Sequence, residues 1–590
     1  MRVFFDTNPS PLIPHLRSLA ESLGIACESA DVADAGLLDS IRRETALNPG
    51  APLVLDAGSL QSRCPPDQLA GLAAHLEQCE AKVLIVASGR GETVDRILRA
   101  LTREAVRGLV GGRAGRVNFS ESSKAYSQEL AGFSFAREPG ASVGLELAKG
   151  SPAETIMSLD QLPALALVKT GKTKVFIWAT DTVFDMLRPL AAEKEFEQAA
   201  DQYIPAMIFL RSVLGDQCWH NPNPGAGLVI DDPLLKKSYG FINFPRLLAS
   251  ARNRKYHVTL AFIPWNHWRS SPAKARMFLD HADCFSVCAH GCDHTNKEFG
   301  SADYEDLLGR NFRASQRMGW HRDRTGLAGE PLMVCPQEQY SLEAMRAFAD
   351  SRQFAGLVCT ACMPRNLSAP QICGADLLLP AQDSFFGFPV FKRHYWTDIS
   401  IFAMALFLGK PAILVEHHEF FRGGPGGAEK FVSELAAVRP NLQWTSLAET
   451  ARRTHWRRRL SAGRYEVRFF TDDFELEPEA ETPAEYRLVR RVPESSPVRR
   501  VTANGAEIPF VHGGNWLSFE LRPAAPQSLQ IQVEVAPVRP KKEYSHGFTY
   551  QASVALRRGL SEFRDNVMAR NDFVLRVAKS LAKKMKQTGV

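Results

Sequence analysis

The sequence predicts a multidomain α/β protein: a (β/α) barrel preceded by a doubly wound sheet and followed by a small β-sandwich. Three observations carry that expectation. The chain has 590 residues, too many for one hydrophobic core, so roughly three or four domains are expected. Between residues 225 and 455, short apolar runs with polar tips alternate with segments long enough for crossover helices. Beyond residue 460 the hydrophobic period falls to two, as in half-buried antiparallel strands.

Residues 1–185 open this series. Strands are expected at 2–6, 52–56 and 83–87, and helices at 12–23, 68–79 and 92–101. Their tips, Asp6, Asp56-Ala57-Gly58 and Ser88-Gly89-Arg90-Gly91, suit an open doubly wound sheet. Gly89-Arg90-Gly91 lacks the third glycine of a dinucleotide fingerprint and follows a late strand. A hairpin pattern, 164–168 and 175–179 joined through Lys169-Thr170-Gly171-Lys172, resembles the late hairpin of glutamine-amidotransferase-like domains. Cys27, Cys64 and Cys79 are the cysteines of this region, and none has the Gly-x-Cys-x-Gly setting of that family's nucleophile. The domain is therefore expected to be flavodoxin- or amidotransferase-like in fold and non-catalytic. Residues 186–224, with a helical stretch at 191–214, are expected to link it to the barrel.

In the barrel segment 225–455, strand ends are expected at Asp231, Trp265-Asn266, His290, Pro336-Gln337, Thr360 and His417, with helices at 245–254 and 341–352. Catalytic side chains of such a scaffold sit at these C-terminal ends. Leu228-Val229-Ile230 runs into Asp231-Asp232, and a second strand runs into His290-Gly291-Cys292-Asp293-His294. Histidines four apart on a first helical turn share a face and can hold one divalent ion, with a carboxylate from another strand completing the set. An ion with open positions lowers the pKa of bound water to roughly 7 and polarises a carbonyl beside it. A lone His-x-x-x-His also occurs on ordinary surface helices; the Asp-Asp at a separate strand end is what favours metal-assisted hydrolysis.

At these residues the chain resembles the polysaccharide deacetylase superfamily, the NodB-like carbohydrate esterases. The resemblance spans about 225–455. It implies that Asp231 is the general base, and that Asp232, His290 and His294 bind the metal. The run Ala412-Ile413-Leu414-Val415-Glu416-His417-His418 matches the late strand whose histidine protonates the leaving amine, with His417 preferred over His418. Two departures mark a divergent branch. Pro233 replaces the usual glycine, and Pro336-Gln337 stands where Arg-x-Pro-Tyr would supply the base-orienting arginine, which is either absent or replaced by Arg365 or Arg393. Trp265 and Asn266 at the barrel mouth, with Pro336, Gln337 and His418, are candidate substrate-binding residues; the alternative for the aromatic is burial against neighbouring loops.

Residues 460–538 are expected to form the β-sandwich. Tyr465, Val467 and Phe469 alternate with charged residues, Leu529, Ile531, Val533 and Val535 with polar ones, and Asn504-Gly505 signals a turn. Such a module either binds carbohydrate or braces an enzyme. The segment 541–590 carries 11 Lys+Arg against 4 Asp+Glu, a net +7 against +6 for the whole chain, so the remainder is at −1. Leu556, Leu560, Phe563 and Val567 form one helical stripe and Val574, Ala578, Leu581 and Met585 another. A basic amphipathic helix suits an anionic membrane surface, the alternative being a stripe packed on the protein. Without base-stacking aromatics, nucleic acid is not an expected partner.

Hydrophobic content of 45% and charged content of 23% exclude the disordered classes. No signal-peptide pattern and no run of 18 apolar residues is present, so a cytoplasmic protein, peripheral to the inner membrane if the tail binds it, is expected. Its 11 cysteines then read as reduced thiols; Cys284, Cys288, Cys292 and the pair Cys359 and Cys362 are expected to be buried strand and loop cysteines, the alternative being a redox or second metal role. The deacetylase resemblance, with the run 557–566 that resembles tails of some bacterial surface-polysaccharide biosynthesis proteins, implies a metal-dependent de-N-acetylase acting on an N-acetylated sugar or saccharide intermediate of surface-polysaccharide biosynthesis. Zinc is the default ion, and cobalt, nickel or manganese suits the same ligands. The alternatives are a hydrolase of a non-sugar amide and a catalytically degenerate carbohydrate-binding scaffold.

Overall fold

The computed structural model describes residues 10–29, 52–58, 65–369, 371–478, 484–523 and 527–570, with the strand Val3–Phe5 and a few isolated positions. The chain divides into two compact units: residues 1–220 with 369–379 and 456–466, and residues 221–368 with 380–455 and 467–590.

The first unit is built on a nine-stranded sheet. Its strands are β1 (Val3–Phe5), β2 (Cys27–Ser29), β3 (Pro52–Asp56), β4 (Lys82–Ala87), β5 (Val106–Phe119), β6 (Ser134–Leu147), β7 (Glu154–Leu159), β8 (Leu162–Thr170) and β9 (Thr173–Ala179). They lie in the order β2-β1-β3-β4-β9-β8-β7-β5-β6. From β2 to β9 the pairing is parallel, and β3 and β4 read as continuous apolar runs because both faces are covered. Helices α1 (Leu12–Ser22), α2 (Pro66–Gln78) and α3 (Glu92–Thr102) belong to this half. α3 buries Val94, Ile97, Leu98 and Leu101 at the spacing of one helical face. The β8–β9 hairpin turns at Gly171 with φ +60°, where a Cβ would lie 2.3 Å from the Glu77 carbonyl oxygen. Only glycine meets both demands.

Two features depart from the sequence expectation. From β9 to β6 the sheet is antiparallel, and the long β5–β6 hairpin has no counterpart among the expected strands. The stretch 186–224 is also not a linker in the structure. Its helix α4 (Ile204–Leu214) buries Ile204, Met207, Ile208, Phe209 and Leu210 inside the first unit, and Phe209 packs edge-on against Phe176 of β9 at 5.4 Å. A helix apolar on all sides is driven inward.

In the second unit seven parallel strands close into a barrel: β10 (Ala226–Asp231), β11 (Val258–Phe262), β12 (Phe285–His290), β13 (Glu330–Val334), β14 (Gly356–Cys359), β15 (Val390–His394) and β16 (Ala412–Glu416). Closure is made by β16 against β10, with Ile230 opposite Glu416. Connecting helices are α5 (Phe244–Arg254), α6 (Pro272–Asp280), α7 (Tyr304–Thr325), α8 (Leu342–Ser351), α9 (Ser400–Phe407) and α10 (Gly426–Val438). Asn243 and Asp303 cap α5 and α7 by accepting from the backbone N–H of Arg246 and Asp306, both at 3.1 Å. Because all seven strands run one way, their C-terminal tips gather at one end, and the candidate residues Asp231 and His290 lie there.

Beyond the barrel, one four-stranded sheet has the order Asp473–Leu476, Leu529–Val535, Val498–Ala503, Ala506–Glu507. A second contains Glu485–Arg491, Trp516–Leu521 and Val511–Gly513. Leu529, Ile531, Val533 and Val535 are buried while the residues between them are not. Asn504 and Gly505 both take positive φ, as a two-residue hairpin turn requires. Helix α11 (Phe548–Asn566) follows. Its buried positions are Val554, Arg558 and Asp565, whereas Leu556, Leu560, Phe563 and Val567 are more than half exposed. The second stripe, 574–585, lies outside the described residues.

Candidate metal centre

Asp231 ends β10, and its buried carboxylate is gripped at both oxygens by Arg393 of β15: Nη1 donates to Oδ1 at 2.7 Å and Nη2 to Oδ2 at 2.9 Å. Arg393 is itself 1% exposed. Burial alone would raise the Asp231 pKa, but the guanidinium and His290 outweigh it and keep the carboxyl below its ordinary value. Of the sequence candidates for the base-orienting group, Arg393 makes this contact.

Asp232 adopts φ +78°, a left-handed conformation that aspartate tolerates better than most side chains. Its Oδ1 lies 3.2 Å from His294 Nε2 and 3.7 Å from His290 Nε2, and the two Nε2 atoms are 3.1 Å apart. Burial raises the Asp232 carboxyl, yet His294 and His290 pull it to about 2. His294 is pushed down to about 3, first by burial, with Asp232 opposing. The His290 Nδ1–H is assigned to the Val334 carbonyl at 3.0 Å, which leaves its Nε2 lone pair free.

The loop between the histidines is not the helical turn their spacing predicts. Residues 291–294 wrap around the Glu298 carboxylate, which accepts the backbone N–H of Cys292 (3.1 Å), Asp293 (2.7 Å) and His294 (3.0 Å). Gly291 at φ +70° and His294 at φ +56° give the bend that brings the two rings together. Cys292, Asp293 and Glu298 also cluster, but their bonding is structural. Glu298 holds the loop, while Asp293 pairs with Arg317 at 2.6 Å and accepts from Tyr544 and Tyr550 at 2.9 and 3.0 Å.

Asp232, His290 and His294 fit a divalent ion. Their ligand atoms converge, and Asp232 Oδ1 is buried with no hydrogen-bond partner among the described residues. An anionic oxygen in that position calls for a cation.

His417 and His418, neighbours in sequence, part company. His417 stacks on Tyr395 with ring centroids 6.1 Å apart, close enough to both aspartates to lower their pKa values. His418, expected at the substrate, is buried instead against α11, its Nε2 3.4 Å from Asp565 Oδ1. The other expected substrate contacts are likewise taken up in packing. Trp265 and Asn266 are 8% and 3% exposed; Trp265 packs with Ile263, Val554 and Tyr550, and Asn266 accepts from Arg269 at 3.1 Å. Pro336 is buried, and Gln337 accepts the Lys297 N–H at 2.9 Å, tying two loops. What sequence reasoning missed is the contribution of α11. Arg558 and Asp565, seven residues apart, share its inward face, and a charged residue on the face opposite an apolar stripe reads as solvated.

No family model and no curated protein matches the chain. Among solved structures it is similar to the carbohydrate deacetylase Agd3, at 11% identity over 91% of this chain and 99% of that one, TM-score 0.45. It is also similar to a family 4 carbohydrate esterase from Streptomyces lividans in complex with acetate (15% identity, 37% of this chain and 88% of that one, TM-score 0.23). A family 4 acetyl xylan esterase from Clostridium thermocellum with a cobalt ion gives 12%, 38%, 89% and 0.24 in the same order.

Proposed function

We propose that the chain is a divergent member of the polysaccharide deacetylase superfamily, a metal-dependent de-N-acetylase. Its substrate is an N-acetylated sugar or saccharide intermediate of bacterial surface-polysaccharide synthesis. The observation that carries this reading is the convergence of Asp232 Oδ1, His290 Nε2 and His294 Nε2 beside an Arg393-held Asp231, with His417 at hand. Asp232, His290 and His294 would hold a divalent ion, zinc by default, which would supply Lewis-acid polarisation of the acetamide carbonyl and lower the pKa of water. Asp231, ionised because Arg393 compensates its charge, accepts the proton of the water that attacks the carbonyl carbon. Arg393 fixes the direction of that carboxylate. His417 then gives a proton to the amine as the C–N bond breaks, and acetate and a free amino sugar leave.

The test is metal analysis of the purified protein combined with acetate release across N-acetylated saccharides and non-sugar acetamides. The reading requires about one divalent ion per chain, acetate from saccharides, and loss and recovery of activity on chelation and re-addition of zinc or cobalt. Turnover confined to non-sugar amides would overturn the carbohydrate assignment.

The same proposal places the protein at an anionic membrane surface. Leu556, Leu560, Phe563 and Val567 are 65, 60, 55 and 53% exposed on one face of α11, with Arg557 and Arg564 beside them. No helix among the described residues is long and apolar enough to cross a membrane. Leu560→Glu combined with Phe563→Glu should abolish co-sedimentation with anionic vesicles and leave acetate release from a dissolved saccharide unchanged. Unaltered vesicle binding in that variant removes the membrane from the reading.

A further inference from the structure

Helix α11 is bonded to loops that follow four consecutive strands of the closed barrel. After β10, Tyr239 donates its hydroxyl to Asp565 and the Gly240 N–H goes to Asn566 Oδ1, both at 2.8 Å. After β11, Arg269 Nη2 donates to Glu562 at 2.9 Å; after β12, Arg558 meets His294; after β16, His418 faces Asp565. The helix is therefore a fixed wall of the metal centre, and Arg558 is the residue it carries inward.

Arg558 is 6% exposed; among the described residues its Nε is buried without a partner and its Nη2 reaches only His294, at 3.4 Å from Nδ1 and 3.5 Å from the carbonyl oxygen. No carboxylate among the described residues forms an ion pair with it. Arg393, by contrast, has both Asp231 oxygens. A buried guanidinium without a counter-charge is costly to maintain, and an ion at the metal centre would claim the Asp232 charge and increase the deficit.

We propose that Arg558 recognises an anionic group, a carboxylate or phosphate, carried by the saccharide substrate. This rests on the deacetylase reading and adds to it the charge class of the substrate. The guanidinium approaches the Nδ1 edge of His294, whereas Nε2 is the edge that faces Asp232 and His290. An anion held by the guanidinium would therefore lie on the side of His294 away from the three candidate ligand atoms. Its planar fork matches either oxyanion with two parallel hydrogen bonds, which an ammonium does not.

The experiment has a binding arm and a kinetic arm, both on the full chain. Binding of glucuronate and of a hexose phosphate to metal-free protein is measured by titration calorimetry for the wild type, Arg558→Gln and Arg558→Lys. Arg557→Ala, at the exposed neighbour, is the control. Arg558→Gln should weaken binding of at least one of these anions about 10- to 100-fold and Arg557→Ala should not. Whichever anion shows the loss is the substrate's group. In the kinetic arm, Arg558→Gln should raise KM for an N-acetylated saccharide bearing that anion by the same factor. The ratio of kcat/KM for that substrate over its neutral counterpart should fall by the same factor. Equal loss on neutral and anionic substrates, loss of metal, or unchanged anion binding would each overturn the proposal. If Arg558→Gln does not fold, Arg558→Lys decides, and anion binding within about twofold of wild type overturns it. Failure of the wild type to release acetate from any saccharide, with anion binding still dependent on Arg558, would instead sink the deacetylase reading alone.

Discussion

Asp232→Asn, His290→Ala and His294→Ala should each lose the divalent ion and acetate release together. Each removes one of the three groups proposed to hold the ion, whose atoms already meet, and two such groups would not hold a dication against water. Loss of even an outer partner of a metal ligand costs 10- to 100-fold in affinity or activity, so loss of a ligand should exceed about 10²-fold. Asparagine is the informative replacement at position 232, because it keeps the side-chain volume and tolerates the left-handed backbone of φ +78°. It removes only the charge that the ion needs. The histidine variants carry a related control. His290 Nδ1 is bonded to the Val334 carbonyl, so His290→Ala also frees a buried acceptor, and thermal stability should be measured alongside metal content. Stoichiometric metal in all three purified variants would remove this site from consideration.

Much of this centre was legible in the sequence, because strands of a parallel barrel deliver their C-terminal residues to one place. Asp231-Asp232 and His290 needed only an apolar run before them to be located. The histidine spacing was legible but its conformation was not: four residues apart predicts a helical turn, and the competing attraction is the Glu298 carboxylate, which captures three backbone N–H groups. β15 escaped the strand count for a related reason. Val390-Phe391-Lys392-Arg393-His394 breaks the apolar pattern because a barrel strand that lines a site carries polar residues inward, and its arginine finds Asp231 from 162 positions away. The β5–β6 hairpin was hidden by its glycines and arginines, which weaken both period and β-propensity. In the tail the apolar stripe of α11 was identified, but that stripe is the exposed face. The buried one is set by Arg558 and Asp565, whose partners lie in the barrel loops and leave no local trace.

Asp231→Asn should retain the ion and lose turnover. Position 231 lies beside the three candidate ligands, with Oδ2 3.8 Å from His290 Nε2, and its carboxylate is committed to Arg393. The amide conserves volume but cannot take a proton from water, and general-base catalysis is worth about 10²- to 10⁴-fold; kcat should fall by that factor with metal content unchanged. The variant has a second consequence that the geometry makes unavoidable. One Arg393 nitrogen now faces an amide N–H2, donor against donor, and the buried guanidinium has lost its counter-charge. Breaking a buried pair from one side costs roughly 3–5 kcal/mol, so the melting temperature should drop as well, and kcat must be read well below it. Arg393→Met with Asp231→Asn should recover part of that stability, because neither charge is then buried alone, yet recover none of the turnover. A double variant that regains activity would show that Asp231 acts only as the counter-ion of Arg393. Release of the ion by Asp231→Asn, with Asp232→Asn retaining it, would exchange the roles of the two aspartates.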